Sequence, residues 1–286
     1  MPTPKLSVLM PVRDADSTLG QAIRSCLRAM PAESELLVYF DGCSDRSEDI
    51  ANEFEDPRIR KYVSHDSRGV TFARRFLVEH ARGDYIATLD ADDICAPWRF
   101  SVALRQMARR ELDFFFSNAI YIVSKRNFKY LAPQIRPSLS PQNFGIALAI
   151  NCPVVHSTMV AKRLVVQDLG SYTAARAEDY ELYLRASLAG KKMFRYWIPT
   201  VMYRKHATQL SQQSSWDKGI GDDADVVQSY TKLISKLGIL LPDGKEFIGS
   251  HRSNSAVISE VLRRASKAML HVRFETYLRR LLGKIK

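Results

Sequence analysis

Apolar runs alternate with helical patterns along the first half of the sequence. Runs of consecutive apolar residues predict strands that are buried on both faces of a sheet. These predicted strands are Leu6–Val12, Leu36–Phe40, Ile59–Val63, Tyr85–Leu89 and Leu112–Phe116. Apolar positions at helical spacing predict helices between them, at 19–30, 44–55, 69–81 and 97–110, with Ser44 as a candidate N-cap. Strands and helices in alternation indicate an α/β fold with a mostly parallel central sheet flanked by helices.

The second half of the chain has a weaker pattern. Residues 117–131 fit a hairpin. Residues 133–141 fit a loop rich in Pro and Ser, and residues 176–190 fit a helix. From residue 215 onward the pattern is helical. We therefore predict two parts, an α/β domain over residues 1–212 and a C-terminal helical extension over 213–286.

Carboxylates follow the ends of three predicted strands. Asp14, Asp41 and the group Asp90, Asp92 and Asp93 all lie in such positions. The carboxyl ends of parallel strands share one edge of a sheet, and ligands of α/β proteins bind beyond that edge. The sequence therefore predicts a ligand site where these side chains meet.

Composition narrows the class of protein. The apolar share is 46%, which is ordinary for a globular domain. No run of roughly 18 apolar residues predicts a membrane-spanning helix, and Met1–Lys5 leads into a strand, not a secretory signal. The four cysteines form no CxxC pair. They are expected to be reduced thiols of a cytoplasmic protein.

The positive charge is concentrated near the C-terminus. The net charge is +11, and residues 251–286 contribute nine Lys or Arg and two Glu. Over 256–286 an apolar stripe accompanies a cationic face, which indicates an amphipathic basic helix or helix pair. One interpretation is peripheral contact with an anionic membrane at the inner face of the plasma membrane. The alternatives are a solvated helix face, or a stripe that packs on the α/β domain or on a second subunit.

The acidic turn Asp90–Asp93 has three interpretations by itself. Asp93 could cap the helix that Pro97 opens, the carboxylates could act as general acid and base, or they could hold a divalent cation. Mg²⁺ and Mn²⁺ prefer oxygen ligands and bind through a few carboxylates together with substrate phosphates.

Seven motifs in order make the chain resemble the family 2 glycosyltransferases of the GT-A fold. The motifs lie between Leu6 and Ser211. They read LSVLMPVRDADSTLGQAIRSCL, ELLVYFDGCSDRS, SRGVTFARRF, GDYIATLDADD, CPVVHSTMVAKR, AEDYELYLRASLAG and YRKHATQLS. The resemblance implies a Rossmann-like GT-A sheet, a nucleotide-sugar donor, a divalent metal and an inverting reaction. It also divides the catalytic domain into a nucleotide-sugar-binding half, 1–116, and an acceptor-side half, 117–212.

The resemblance also implies roles for individual residues. The implied nucleotide-sugar-binding residues are Pro11, Val12, Asp41, Arg74, Asp90, Ala91 and Asp92. The implied metal ligands, for Mn²⁺ or Mg²⁺, are Asp92 and His206. Asp179 is the implied general base, and Glu178 is a neighbour that orients the acceptor or the loop. From the residues alone, Glu178 and Asp179 are equally well explained as acidic residues in a first helical turn, and Asp41 as a helix cap.

Departures from the family pattern concern the nucleoside. Phe40 replaces the first Asp of the usual D-D-G-S, Arg13–Asp14 replace Tyr-Asn, and Arg75 replaces Asn. A UDP-sugar donor is favoured, with a glycan or lipid-linked acceptor in surface polysaccharide synthesis. The alternatives are a sugar-phosphate nucleotidyltransferase, although the Gly-rich loop after the first strand is missing, and a non-catalytic protein that binds anionic surfaces. No nucleic-acid-binding motif is recognisable, and no nucleic-acid partner is expected.

Overall fold

The computed structural model describes residues 4–125, 128–205 and 223–238. Within these ranges, the helices are too short or too polar to cross a membrane. The predicted basic stripe at 256–286 and the predicted metal ligand His206 lie outside the described residues.

The strands of the described chain form one mixed sheet of nine strands. In chain order they are β1 Leu6–Val12, β2 Ser34–Asp41, β3 Ile59–Ser64, β4 Tyr85–Thr88, β5 Ile94–Cys95, β6 Phe114–Lys125, β7 Phe128–Pro133, β8 Val160–Lys162 and β9 Met193–Lys205. Their order across the sheet is β3-β2-β1-β4-β8-β6-β9-β5, and β7 pairs with β6 outside this path.

Helices cover both faces of the sheet. They are α1 Asp16–Ala29, α2 Ser47–Asn52, α3 Val70–His80, α4 Arg99–Arg110, α5 Pro141–Ile150, α6 Arg163–Asp168, α7 Glu178–Leu188 and α8 Ala224–Lys236. A 3₁₀ turn at His156–Thr158 precedes β8.

The predicted parallel sheet is present in the first half. Strands β3, β2, β1 and β4 are parallel neighbours, so the carboxyl ends of β1, β2 and β4 lie along one edge. The second half adds antiparallel pairs, because β8 runs opposite to both β4 and β6. The expected hairpin is β6–β7, and β6 also pairs in parallel with β9 over almost its whole length. The α/β prediction is confirmed, and the sheet is mixed beyond β4.

Neighbouring residues of each central strand face opposite cores. In β1, Leu9 packs into one apolar cluster while Val8 and Met10 pack into the other. The first cluster includes residues of α3, α5, α7 and α8, and the second includes residues of α1 and α4. Burial on both faces explains why these strands are apolar without alternation.

One cap prediction was wrong. Helix α2 begins at Ser47, after the N-cap Arg46, and no side chain caps it. Ser44 instead donates its backbone N–H and its hydroxyl to Asp14 Oδ1. These bonds connect Ser44, in the loop after β2, to Asp14 in the loop after β1, so Ser44 does not cap the helix.

Helix α8, within the predicted extension, packs on the α/β domain. Val226 and Leu233 are buried in the same apolar cluster as α5 and α7. Tyr230 Oη donates to the carbonyl of Ala149, and Ser229 Oγ donates to Glu181 Oε1. This part of the chain completes a face of the α/β domain, and the domain boundary near residue 212 stays a prediction.

Candidate active site

Asp90 is held in place from two sides. It follows β4, and its Oδ1 accepts a hydrogen bond of 3.0 Å from Arg74 Nη2. Its Oδ2 accepts one of 2.8 Å from Ser157 Oγ, in the 3₁₀ turn before β8. Both carboxylate oxygens therefore have protein partners, which fixes the orientation of Asp90 at the edge of the sheet.

Arg74 joins this aspartate to the start of α7. The side chain is buried, and its Nη1 donates to Glu178 Oε1 while Nη2 donates to Asp90. Burial opposes the charge of the guanidinium, but Glu178 and Asp90 together raise the pKa of Arg74. The arginine therefore remains a cation between two carboxylates that lie far apart in the sequence.

Glu178 and Asp179 form the first turn of α7. Glu178 is 4% exposed, and burial raises the pKa of its carboxyl to about 7, against the opposing effect of Arg74. Asp179 is partly buried, and burial also raises its pKa, again against Arg74. Two neighbouring carboxyls with raised pKa values are a recognised feature of acid–base sites.

Asp93 connects the acidic turn to the end of β9. Its Oδ1 accepts a hydrogen bond of 2.9 Å from the backbone N–H of Arg204, and Arg204 Nε donates to the carbonyl of Asp92. Burial and the charges of Asp92 and Asp90 raise the pKa of Asp93. Helix α4 begins at Arg99 without a side-chain cap, so the proposed capping role of Asp93 was wrong.

The predicted nucleoside residues line the ends of β1 and β2. Asp41 is 3% exposed and accepts hydrogen bonds from Ser67 Oγ, Arg68 N and Gly69 N. It orders the loop before α3, and it does not cap the helix after β2. Val12 is 1% exposed with its side chain in the core, so only its backbone can reach a ligand.

Pro11 and Ala91 complete this edge. Pro11 is partly buried at the end of β1, and Ala91 is buried inside the acidic turn. Arg13, which replaces the usual Tyr, donates to Ser67 Oγ and so connects the loops after β1 and β3.

The acidic turn has suitable chemistry for a hard cation. Asp92 is partly buried between Asp90 and Asp93, and it supplies carboxylate oxygens of the kind that Mg²⁺ and Mn²⁺ bind. Positive charge at Asp92 would also offset the repulsion that raises the pKa of Asp93. The oxygen donors of Asp92 therefore fit a divalent cation.

A second group of ligand-like atoms comprises Asp14, Cys43 and Asp45. These atoms lie within 4.8 Å of one another. However, Asp14 accepts from Ser44, and Asp45 accepts from the backbone N–H groups of Asp16 and Ser47. Burial raises the pKa of the Cys43 thiol, which disfavours the thiolate that metals bind. The local hydrogen bonds account for this group.

Sequence reasoning missed the partners that organise the site. The motif CPVVHSTMVAKR contains His156 and Ser157, and the motif YRKHATQLS contains Arg204. The sequence alone predicts no role for these three residues. Arg74 was expected near the nucleotide, and its contacts in this structure are with Glu178 and Asp90. In CPVVHSTMVAKR the available signal is the polar run 156–158 within an apolar stretch, whereas YRKHATQLS is polar along most of its length and offers no such signal.

Comparisons with known proteins agree on one family. The model of "Glycosyl transferase family 2" matches residues 7–170. The chain is 30% identical over 182 residues to the Escherichia coli UDP-Glc:alpha-D-GlcNAc-diphosphoundecaprenol beta-1,3-glucosyltransferase WfgD, covering 63% of this chain and 68% of that protein. It is 26% identical over 206 residues to the Escherichia coli UDP-Glc:alpha-D-GlcNAc-diphosphoundecaprenol beta-1,3-glucosyltransferase WfaP, covering 72% of this chain and 79% of that protein.

A solved structure has the same fold. S. aureus TarS 1-349 in complex with UDP-GlcNAc aligns with a TM-score of 0.68 and 14% identity, over 98% of this chain and 80% of that one.

Proposed function

Because the chain belongs to glycosyltransferase family 2, as its motifs predicted, we propose that it transfers a sugar from a UDP-sugar to a lipid-linked acceptor with inversion. One observation carries the proposal. Arg74 binds both Asp90 of the acidic turn and Glu178 of α7, so a donor-type motif and an acid–base pair belong to one site. Membership of the family makes the chain a glycosyltransferase. We therefore reject the two alternatives, a sugar-phosphate nucleotidyltransferase and a non-catalytic protein that binds anionic surfaces.

The donor would lie along the edge formed by β1, β2 and β4. Pro11, the Val12 backbone and Asp41 would border the nucleoside, and Asp90 would contact the ribose. A divalent cation held by Asp92, with His206 as the predicted second ligand, would supply Lewis-acid stabilisation to the departing diphosphate.

Asp179 would accept the proton of the attacking hydroxyl. The acceptor oxygen forms a bond to the anomeric carbon as the bond from that carbon to the diphosphate oxygen breaks. A single displacement of this kind inverts the anomeric centre. Glu178 remains bound to Arg74 and so holds the first turn of α7 in place.

The relatives suggest the acceptor class. WfgD and WfaP carry names that specify UDP-glucose as donor and a diphosphoundecaprenol-linked GlcNAc as acceptor. By analogy we propose a polyprenyl-diphosphate-linked glycan of surface polysaccharide synthesis. Peripheral contact of the basic segment 256–286 with an anionic membrane remains a prediction of the same proposal, as does a cytoplasmic location.

UDP should raise the melting temperature only in the presence of Mn²⁺ or Mg²⁺, because the acidic turn repels an uncompensated diphosphate. Thermal shift with UDP, metal and excess chelator measures this effect. In Asp92→Ala the metal-dependent shift should disappear, whereas Asp45→Ala, from the second ligand-like group, should keep it. An equal UDP shift with chelator present would contradict the metal role. Loss of the shift in Asp45→Ala but not in Asp92→Ala would indicate that the cation binds at Asp14, Cys43 and Asp45.

The pH dependence of kcat/KM should have an acidic limb at higher pH than an exposed aspartate would give. Burial raises the pKa of Glu178 to about 7 and also raises that of Asp179, and the pair must lose protons before Asp179 can act as a base. Activity should therefore fall as pH decreases through this range. In Glu178→Gln the limb should move to lower pH, because a negative charge beside Asp179 is removed and the charge of Arg74 remains.

A matched control for the pH profile is Glu79→Gln, which removes an exposed carboxylate from α3. This variant should keep the wild-type profile. An acidic limb that is identical in Glu178→Gln and wild type would refute the assignment to the α7 pair.

A further inference from the structure

His156 is anchored to the strand that carries the acidic turn. Its carbonyl accepts a hydrogen bond of 2.5 Å from Thr88 Oγ1, and the backbone N–H of Thr88 donates to the carbonyl of Met159. The next residue, Ser157, donates to Asp90 Oδ2. The backbone of the 3₁₀ turn is therefore fixed relative to Asp90.

Both ring nitrogens of His156 contact phenol groups. Nδ1 lies 2.6 Å from Tyr183 Oη, and Nε2 lies 3.1 Å from Tyr172 Oη. All three side chains are buried. The imidazole thus joins two hydroxyl groups that would otherwise need separate partners inside the protein.

The three side chains form a neutral hydrogen-bonded unit. Burial, together with the charges of Arg74 and Arg99, lowers the pKa of His156, and burial raises the pKa values of Tyr172 and Tyr183. A neutral imidazole has one N–H donor and one acceptor nitrogen. One phenol therefore donates to the ring while the other accepts from it.

The two tyrosines lie on either side of the acidic pair. Tyr172 precedes α7, and Tyr183 lies on α7 one helical turn after Asp179. A contact before the helix and a contact within it restrict both the position and the rotation of its first turn. Arg74 restricts the same turn through its ion pair with Glu178, whereas the tyrosines act through neutral hydrogen bonds.

We infer that His156 is a positioning residue, which sets the location of Glu178 and Asp179 relative to Asp90 through its hydrogen bonds to Tyr172 and Tyr183. The inference rests on the proposed function, in which Asp179 must meet an acceptor hydroxyl beside a donor held near Asp90. The rate of an enzyme is sensitive to displacements of about 1 Å in such groups.

Tyr172→Phe and Tyr183→Phe test the inference, since each removes one hydroxyl and keeps the ring. Each should lower kcat about tenfold or more with UDP-glucose and a polyprenyl-diphosphate-linked GlcNAc acceptor, with the KM for UDP-glucose changed less than about twofold. Amide hydrogen exchange in the first turn of α7 should become faster. His156→Phe should combine both losses, and His156→Asn, which can keep a partner for Tyr183, should recover part of kcat.

Tyr230→Phe is the matched control. Its hydroxyl is also buried and donates to one backbone carbonyl, that of Ala149, in the helical layer next to α7. This variant should lose stability to a similar extent and keep both kcat and the exchange rates of the first turn of α7.

The outcomes separate the two proposals. If the wild type transfers no sugar and UDP with Mn²⁺ does not stabilise it, the proposed function fails, and hydrogen exchange alone then decides whether the tyrosines position α7. If the wild type is active and Tyr172→Phe and Tyr183→Phe match Tyr230→Phe in kcat, the positioning role is refuted. Unchanged exchange in the first turn of α7 in both Tyr172→Phe and Tyr183→Phe refutes it as well, and these two variants decide the matter where His156→Phe does not fold.

Discussion

Asp179→Asn is expected to lower the rate of sugar transfer by about 10²- to 10⁴-fold, the usual contribution of a general base. The amide keeps the size of the side chain but cannot take the proton of the acceptor hydroxyl. Donor binding should be retained, because asparagine preserves the shape of the first turn of α7 and the predicted donor residues lie at the ends of β1, β2 and β4. Steady-state transfer assays and the thermal shift produced by UDP with Mn²⁺ measure the two effects separately.

Asp225→Asn provides the comparison for this variant. Asp225 also lies in the first turn of a helix, α8, but it is exposed. Its substitution should leave turnover near the wild-type value. An Asp179→Asn enzyme that keeps more than about a tenth of wild-type turnover would show that another group removes the proton.

Arg74→Met should lower the free energy of unfolding by about 3–5 kcal/mol, as expected when one member of a buried ion pair is removed. Glu178 and Asp90 would lose the cation between them, and Glu178 is 4% exposed. The loss should be smaller at pH 5 than at pH 8, because an unpaired Glu178 can take up a proton at the lower pH. Urea unfolding at both pH values measures this difference, and activity should fall as α7 loses its ionic contact with the acidic turn.

Arg75→Met is a matched control on the same helix, because Arg75 is exposed. It should change stability by no more than about 0.5 kcal/mol. The double variant Arg74→Met/Glu178→Gln should recover part of the lost stability by removing one of the unpaired charges. A stability for Arg74→Met that equals that of Arg75→Met would mean that the ion pairs contribute nothing measurable.

The sequence predicted the elements of the donor half because their signals are local. The strands near residues 6, 36, 59 and 85 were found from apolar runs, and the edge that gathers Asp41 and Asp90 follows from parallel pairing. The predicted GT-A fold, family and enzyme class are confirmed by the comparisons.

Contacts between distant segments could not be predicted in the same way. Arg74 meets Glu178 across 104 residues, and Arg204 meets Asp93 across 111. Neither pairing leaves a periodic signal, because each depends on how the two halves of the sheet come together. The wrong caps at Ser44 and Asp93 have the same origin, since a tertiary partner took the place of the local one.

The separation between Asp90 and its partners has a consequence for synthesis on the ribosome. Strands β1 to β4 and helix α3 emerge first, and within them only Arg74 is available to bind Asp90. Ser157 and Glu178 leave the exit tunnel later, and Arg204 leaves last, near the end of the strand β9 that pairs with β6. Such long-range contacts form slowly. A nascent chain that already contains every predicted donor-side residue of 1–116 therefore still lacks the contacts that orient Asp90 and Asp93, and we expect its nucleotide affinity to rise as those contacts form.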